Sequence, residues 1–285
     1  MDLGYRTVNV FTIGDDPFSG NPLAVFPDAG SLDDRQMQAI ARQLNLSETT
    51  FVTRVDPHAA EADVRIFTPA YELPFAGHPI LGTASVVASV LGGRDEVTLN
   101  VEAGRVRVLR EGSQWVLTTA TGPVTRPVEA TTVELASVLG LDVADLAADR
   151  APLWVDTGVE QLILPLASAD AVRNAQADPR LLRRYAMSNR GEALTYVWAP
   201  TGDDTIEARL FFTQGTAVIE DPATGSACAN LGGWFHAQGQ RGIDRVVRQG
   251  QALERPSELH LHLDADGTIR VGGALRELGR GTFTL

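Results

Sequence analysis

Polar and apolar residues alternate over residues 6–13, RTVNVFTI, and the many β-branched side chains there predict a strand. SGNP at 19–22 is turn chemistry, and the short apolar run LAVF follows it. The period then changes. In SLDDRQMQAIARQLNLS, Leu32, Met37, Ile40 and Leu44 share one helical face, Asp33 and Asp34 fall in the first turn, and Ser31 is the expected cap. ETTFVTRV and ADVRIFT return to the strand pattern. PAYELPFAGHP is dense in turn residues and opens a small-residue segment, ILGTASVVASVLGG. Apolar on every side, that segment predicts a buried helix ended by Gly92 and Gly93. EVTLNVEAGRVRVLREGSQWVLTTA reads as three short alternating strands.

The pattern breaks in TGPVTRP, which places a domain boundary after residue 122. Beyond it, TTVELASVLGL has helical spacing, while QLILPL, ALTYVWAP and EARLFFT are strand-like. ACANLGGWFHAQG predicts a second buried helix, and ELHLHLDADGTIRVGG and GTFTL predict closing strands.

One stretch of the first half has an echo in the second. ELPFAGH (72–78) and EDPATGS (220–226) both read E-x-P-x-x-G-polar. Glu72 matches Glu220, Pro74 matches Pro222, Gly77 matches Gly225, and His78 falls opposite Ser226. A strand with an Arg-aliphatic-Phe start (RIFT, RLFFT) precedes each, and a small-residue helix follows each. Repetition at this length implies two similar domains rather than a solenoid. Duplicated domains are expected to offer a ligand cleft between them, with two helix N-termini whose free N–H groups suit a carboxylate.

Composition and charge narrow the partners. Lys and Arg number 24 against 36 Asp and Glu, a formal net charge of −12, which argues against nucleic acid or an anionic membrane as partner. No apolar stretch reaches the length of a membrane span, and the N-terminus has no basic segment leading into an apolar run. A cytoplasmic location is the simplest expectation. The single cysteine, Cys228, excludes an internal disulfide and any multi-cysteine metal site.

The titratable candidates in loop contexts are Glu48, His78 and Asp221, with Cys228. Glu48, in NLSETTF, stands between a helix end and an apolar strand: a partly desolvated acid–base group, or a surface or capping glutamate. His78 opens a helix, whose positive end favours a neutral ring, able to bond a substrate or simply to close a tight turn. Asp221 either orients His78, binds an amine or caps the helix. Ser226 either donates to a carboxylate or caps. Cys228 reads as buried packing, and His260 and His262 as exposed polar positions on a strand without a third metal ligand. No G-x-S-x-G, P-loop or dinucleotide fingerprint is present.

GNPLAVF, NLSETTFV, RIFTPAYELPFAGHPILGTA, EDPATGSA, RPS and GRGTFTL, taken together and in this order, resemble the PhzF family of phenazine biosynthesis. The resemblance spans almost the whole chain; ERPS stands where GRPS is commoner. It implies an α+β, diaminopimelate-epimerase-like fold of two similar domains, each a β-barrel around a central helix, over residues 1–122 and 123–275, with 276–285 returning to the first. It also implies a homodimer, no cofactor and no metal. Matched by motif, Glu48 becomes the general acid–base, with His78 and Asp221 also catalytic; Ser226, Gly77, Gly225 and Thr224 bind substrate. The implied reaction is isomerisation of trans-2,3-dihydro-3-hydroxyanthranilic acid to an aminoketone. The alternatives are a related isomerase acting on another small cyclic or amino-acid-like carboxylate, and a non-catalytic dimeric binding protein. One cysteine excludes the two-cysteine epimerase chemistry run on the same fold.

Overall fold

In the computed structural model, which covers residues 1–285, β1 (Asp2–Thr12) pairs antiparallel with β2 (Asn21–Phe26). α1 (Asp34–Leu44) then carries the chain to β3 (Glu48–Asp56), which lies parallel to β2. α1 begins where Asp33 and Gln36 form a reciprocal capping box, so Asp33 rather than Ser31 is the cap. The Ser31 hydroxyl lies against the Met1 sulfur instead. Gln36 three residues on is what favours Asp33, because each of the two satisfies the other's backbone N–H. Met37, Ile40 and Ala41 are buried with Leu32, and Leu44 is partly buried beside them.

β4 (Glu61–Phe67) pairs antiparallel with β3, and the two-residue β5 (Glu72–Leu73) folds back on β4. α2 (Gly77–Val90) follows, then β6 (Glu96–Val101), β7 (Gly104–Glu111) and β8 (Gln114–Thr118). β6 is parallel to β4, and β6, β7 and β8 form a meander. Nearly every residue of α2 is buried, as its composition demands. Its small residues let the strands close in: a Cβ on Gly82 would stand 2.5 Å from a Leu23 methyl and 3.0 Å from one of Val10. Ile80 and Leu81, fully buried, contribute roughly 1.5–3 kcal/mol each.

The second half repeats this order. β9 (Val124–Pro127), α3 (Thr132–Val138), β10 (Leu153–Asp156) and β11 (Glu160–Pro165) come first. Short helices α4 (Ala169–Asn174) and α5 (Pro179–Tyr185) lead to β12 (Leu194–Pro200), parallel to β11 as β3 is to β2. β13 (Thr205–Gln214) pairs antiparallel with β12, and β14 (Ala217–Asp221) folds back on β13. α6 (Gly225–Ala237) leads to β15 (Ile243–Gln249), parallel to β13, and β16 (Ser257–Leu263) returns against β15. The small residues of α6 act as those of α2 do: a Cβ on Gly233 would meet Val155 at 2.6 Å and Pro123 at 2.9 Å. The TGPVTRP stretch that breaks the alternation contains β9, bound to β10.

β17 (Ile269–Thr284) is one long strand where the sequence suggests two. The chain divides within it: Met1–Thr118 and Gly272–Leu285 form one compact unit, Thr119–Val271 the other. In the first unit β17 pairs with both β1 and β8, so the strands close into a barrel around α2. No helix is long and apolar enough to cross a membrane.

Candidate active site

The first unit assembles Glu48, His78 and Asn21 from three elements. Glu48 opens β3, directly across from Leu23 of β2, because the helix α1 ends at the left-handed Asn45 and the chain turns at once into the strand. His78 is the second residue of α2, and Asn21 is the first of β2. The His78 Nδ1 atom lies 3.4 Å from Glu48 Oε2 and 3.4 Å from Asn21 Nδ2. The Glu48 side chain is 16% exposed and that of His78 5%.

Burial pushes the His78 imidazole down to about 3, the neighbouring Pro22 carbonyl opposing the shift more weakly. The ring is therefore neutral at ordinary pH, and its contact with Glu48 is not an ion pair. A neutral ring can serve either state of the carboxyl group. With Nδ1 protonated it donates to the carboxylate; with Nδ1 bare it accepts from the carboxylic acid or from the Asn21 amide.

The second unit builds a different set around the N-terminus of α6. Asp221 is the last residue of β14, opposite Leu210. The Thr224 hydroxyl donates to Asp221 Oδ2. Gln249, fully buried on β15, donates to the Asp221 carbonyl at 2.8 Å and to the Thr224 hydroxyl at 3.0 Å, and accepts from the Thr224 N–H at 3.3 Å. Thr224 is the N-cap residue of α6, yet its side chain caps nothing, being committed to Asp221. Ala76 leaves α2 equally uncapped. Gly77 and Gly225, the first residues of the two helices, are buried, so their helix ends carry free N–H groups at desolvated positions. Ser226 follows Gly225 and accepts a hydrogen bond from Gln161.

The glutamates of the repeated motif have a structural task. In the first unit Arg65 grips Glu72 through two nitrogens at 2.7 and 2.6 Å. In the second, Arg209 grips Glu220 in the same way at 3.0 and 2.7 Å. Each guanidinium also stands over the phenylalanine two residues on, Phe67 at 5.1 Å and Phe211 at 4.6 Å. The shared Arg-aliphatic-Phe and E-x-P signals are thus two ends of one clasp, pinning the short hairpin that leads into each central helix.

Cys228 is buried in α6, where burial drives its thiol well above the ordinary range and away from reactivity. His262 lies against Asp244, and no group of three or more His, Cys, Asp or Glu is placed to hold a metal ion. Sequence reasoning did not find Asn21, Gln161 or Gln249. Only Asn21 carried a signal, as the polar member of GNP between a turn and an apolar run.

The fold of each unit, strands wrapped around one buried helix, is the diaminopimelate-epimerase type. A family model described as PhzC-PhzF, phenazine biosynthesis-like protein, matches residues 8–275, and the chain belongs to that family. It is an isomerase. An uncharacterised isomerase of Pasteurella multocida is 39% identical over 277 residues, covering 97% of this chain and 92% of that one. The trans-2,3-dihydro-3-hydroxyanthranilate isomerase of Pseudomonas fluorescens is 32% identical over 279 residues, covering 94% and 95%. A solved structure described as a predicted epimerase from Pseudomonas aeruginosa is 31% identical, with a TM-score of 0.82 and 99% of each chain covered.

Proposed function

We propose that this protein isomerises trans-2,3-dihydro-3-hydroxyanthranilic acid to an aminoketone, as a homodimer and without a cofactor. The observation that carries the reading is the largely buried Glu48 carboxyl beside a neutral imidazole, 3.4 Å away. Glu48 takes the proton from the carbon bearing the hydroxyl, the electron pair moves into the conjugated ring, and the same carboxyl returns the proton at another ring carbon. A neutral His78 suits this cycle because it bonds Glu48 before and after the proton moves. A charged histidine would hold the carboxylate ionised and weaken it as a base. Asp221, kept in place by Thr224 and Gln249, engages the amine and hydroxyl. Ser226 and the N–H groups of Gly77 and Gly225 take the carboxylate, and Thr224 acts by holding Asp221. The relative from Pseudomonas fluorescens, named for this reaction, adds support over nearly the full chain.

The test is turnover of the dihydro acid in D₂O, followed by ultraviolet absorbance and proton NMR, with Glu48→Gln alongside. The expected result is conversion by the native protein, unaffected by chelators, and a loss of about 10²–10⁴-fold in the variant. Unchanged turnover by Glu48→Gln would remove the assigned base. A second reading, the same proton shuttle on another small cyclic carboxylate, is favoured by the higher identity to an isomerase whose name gives no substrate. Absence of conversion by native protein selects it.

A further inference from the structure

Two buried amides tie Ser226 to the backbone behind it. Asn230, one turn further along α6 and fully buried, accepts hydrogen bonds from the Thr157 N–H at 2.9 Å and the Thr157 hydroxyl at 2.7 Å. Its Nδ2 donates to the Val159 carbonyl at 2.7 Å and to Gln161 Oε1 at 2.8 Å. Gln161, 3% exposed on β11, then donates from Nε2 to Ser226 Oγ at 3.2 Å.

The direction of every bond in this series is fixed at its origin. A backbone N–H can only donate and a backbone carbonyl can only accept, so Thr157 and Val159 together allow one orientation of the Asn230 amide. That orientation presents an N–H to Gln161, which must answer with its oxygen and turn its own NH₂ toward Ser226. Flipping either amide would set donor against donor at Gln161 or against the backbone, inside a region that solvent does not reach. The Ser226 oxygen is thereby occupied as an acceptor, and its hydrogen cannot point at Gln161.

We propose that Asn230 and Gln161 act as positioning residues that fix Ser226 as a donor toward its ligand, so that this end of α6 takes an acceptor oxygen rather than a donor such as an amine, and holds the anionic oxygen of a carboxylate more tightly than the neutral oxygen of a carboxamide. The inference rests on the reading that Ser226 contacts substrate. It assigns the chemical polarity of that contact from two buried residues that lie behind Ser226.

The experiment compares binding of anthranilate and 2-aminobenzamide, which differ only in carboxylate against carboxamide, by calorimetric titration. The proteins are the native chain, Gln161→Glu and the uncharged, similarly sized Gln161→Met. The native protein is expected to prefer the acid by tenfold or more, the gain of a charge-assisted hydrogen bond. In Gln161→Glu the ionised side chain accepts from Ser226, turns the hydroxyl inward, and abolishes the preference. Protonating that new carboxyl restores a donor, so the preference returns as pH falls from about 8 toward about 5.5, a buried acid titrating high. Charge repulsion from the new carboxylate would follow the same pH course, so the uncharged Gln161→Met variant is what isolates the bond direction. Gln161→Met, which leaves the hydroxyl free to rotate, is expected to lose about threefold.

A native protein without preference, or a preference unmoved in Gln161→Met, overturns the proposal. Conversion of the dihydro acid alongside an unmoved preference overturns it while the isomerase reading stands. A preference that follows the variants in a protein that does not convert the dihydro acid supports this proposal and removes that reading.

Discussion

His78 sits at the second position of α2 with its ring almost wholly out of water, and this has a measurable price at low pH. An unfolded chain binds a proton at such a histidine near 6.5, whereas the folded ring does so only at about 3. Between those values the unfolded state holds more protons, so stability falls as pH drops from 6.5 toward 3, by at most about 1.4 kcal/mol per pH unit from this residue. His78→Gln is expected to remove that part of the slope. Urea unfolding at pH 7 and pH 5 checks it, and an unchanged slope would mean the ring is protonated in the fold. Glu48 and His78 were legible in the sequence because each stands at an element boundary, a helix end and a helix start, where periodicity shows the break. The buried amides were not. Gln161, Asn230 and Gln249 lie inside apolar or strand-like runs, and no spacing rule separates an amide that organises a site from one that faces water. Asp221 was read with a helix cap as one alternative; Thr224 takes the cap position, and the aspartate, on the strand before it, accepts from the threonine instead.

At the level of elements, the repeated motif is explained by the two Arg–Glu clasps, and their different surroundings predict different strengths. The Arg209 and Glu220 side chains are 13% and 9% exposed, and Arg209 also binds the carbonyls of Val172, Arg173 and Ala175 at the end of α4. Arg209→Met leaves a buried carboxylate and three carbonyls unanswered, a cost of about 3–5 kcal/mol. The Arg65 and Glu72 side chains are 29% and 30% exposed, so Arg65→Met is expected to cost nearer about 1 kcal/mol. Chemical denaturation of the two variants checks the order; equal losses would show that burial does not set the strength of the clasp. Glu220 precedes Asp221, so Arg209→Met is also expected to lower turnover more than Arg65→Met does. The central helices were readable because a helix apolar on all sides needs no partner to be recognised. α4 and α5 were not, being six or seven residues long with a single turn of apolar face each. β9 was masked by Pro123 before it and Pro127 at its end, which mark a break whether or not a strand lies there.

At the scale of the whole molecule, the closure of the first unit depends on the far end of the chain. β17 pairs with β1 from Asp2↔Thr284 to Thr12↔Ala274, and the Met1 amino group meets the Leu285 carbonyl at 2.7 Å. Phe283 packs edge-on against Phe26, 6.1 Å between ring centres, within the cluster that covers α1. Removing Arg276–Leu285 would take away every β17 partner of β1 from Asp2 to Asn9, leaving β1 paired with β2 alone and open on its other edge, and would uncover one side of that cluster. The second unit keeps all its strand pairings, since Thr119–Val271 ends before the deletion begins. Hydrogen exchange read by mass spectrometry separates the two consequences. In the truncated protein, peptides from β1 and β2 are expected to exchange at least tenfold faster than in the full chain, while those from β12 and β13 keep their protection. Uniform loss across both halves would instead mean that the second unit depends on the first barrel for its own stability. Unchanged protection in β1 would mean that β2 alone holds it, and that the returning strand is dispensable to the barrel it closes.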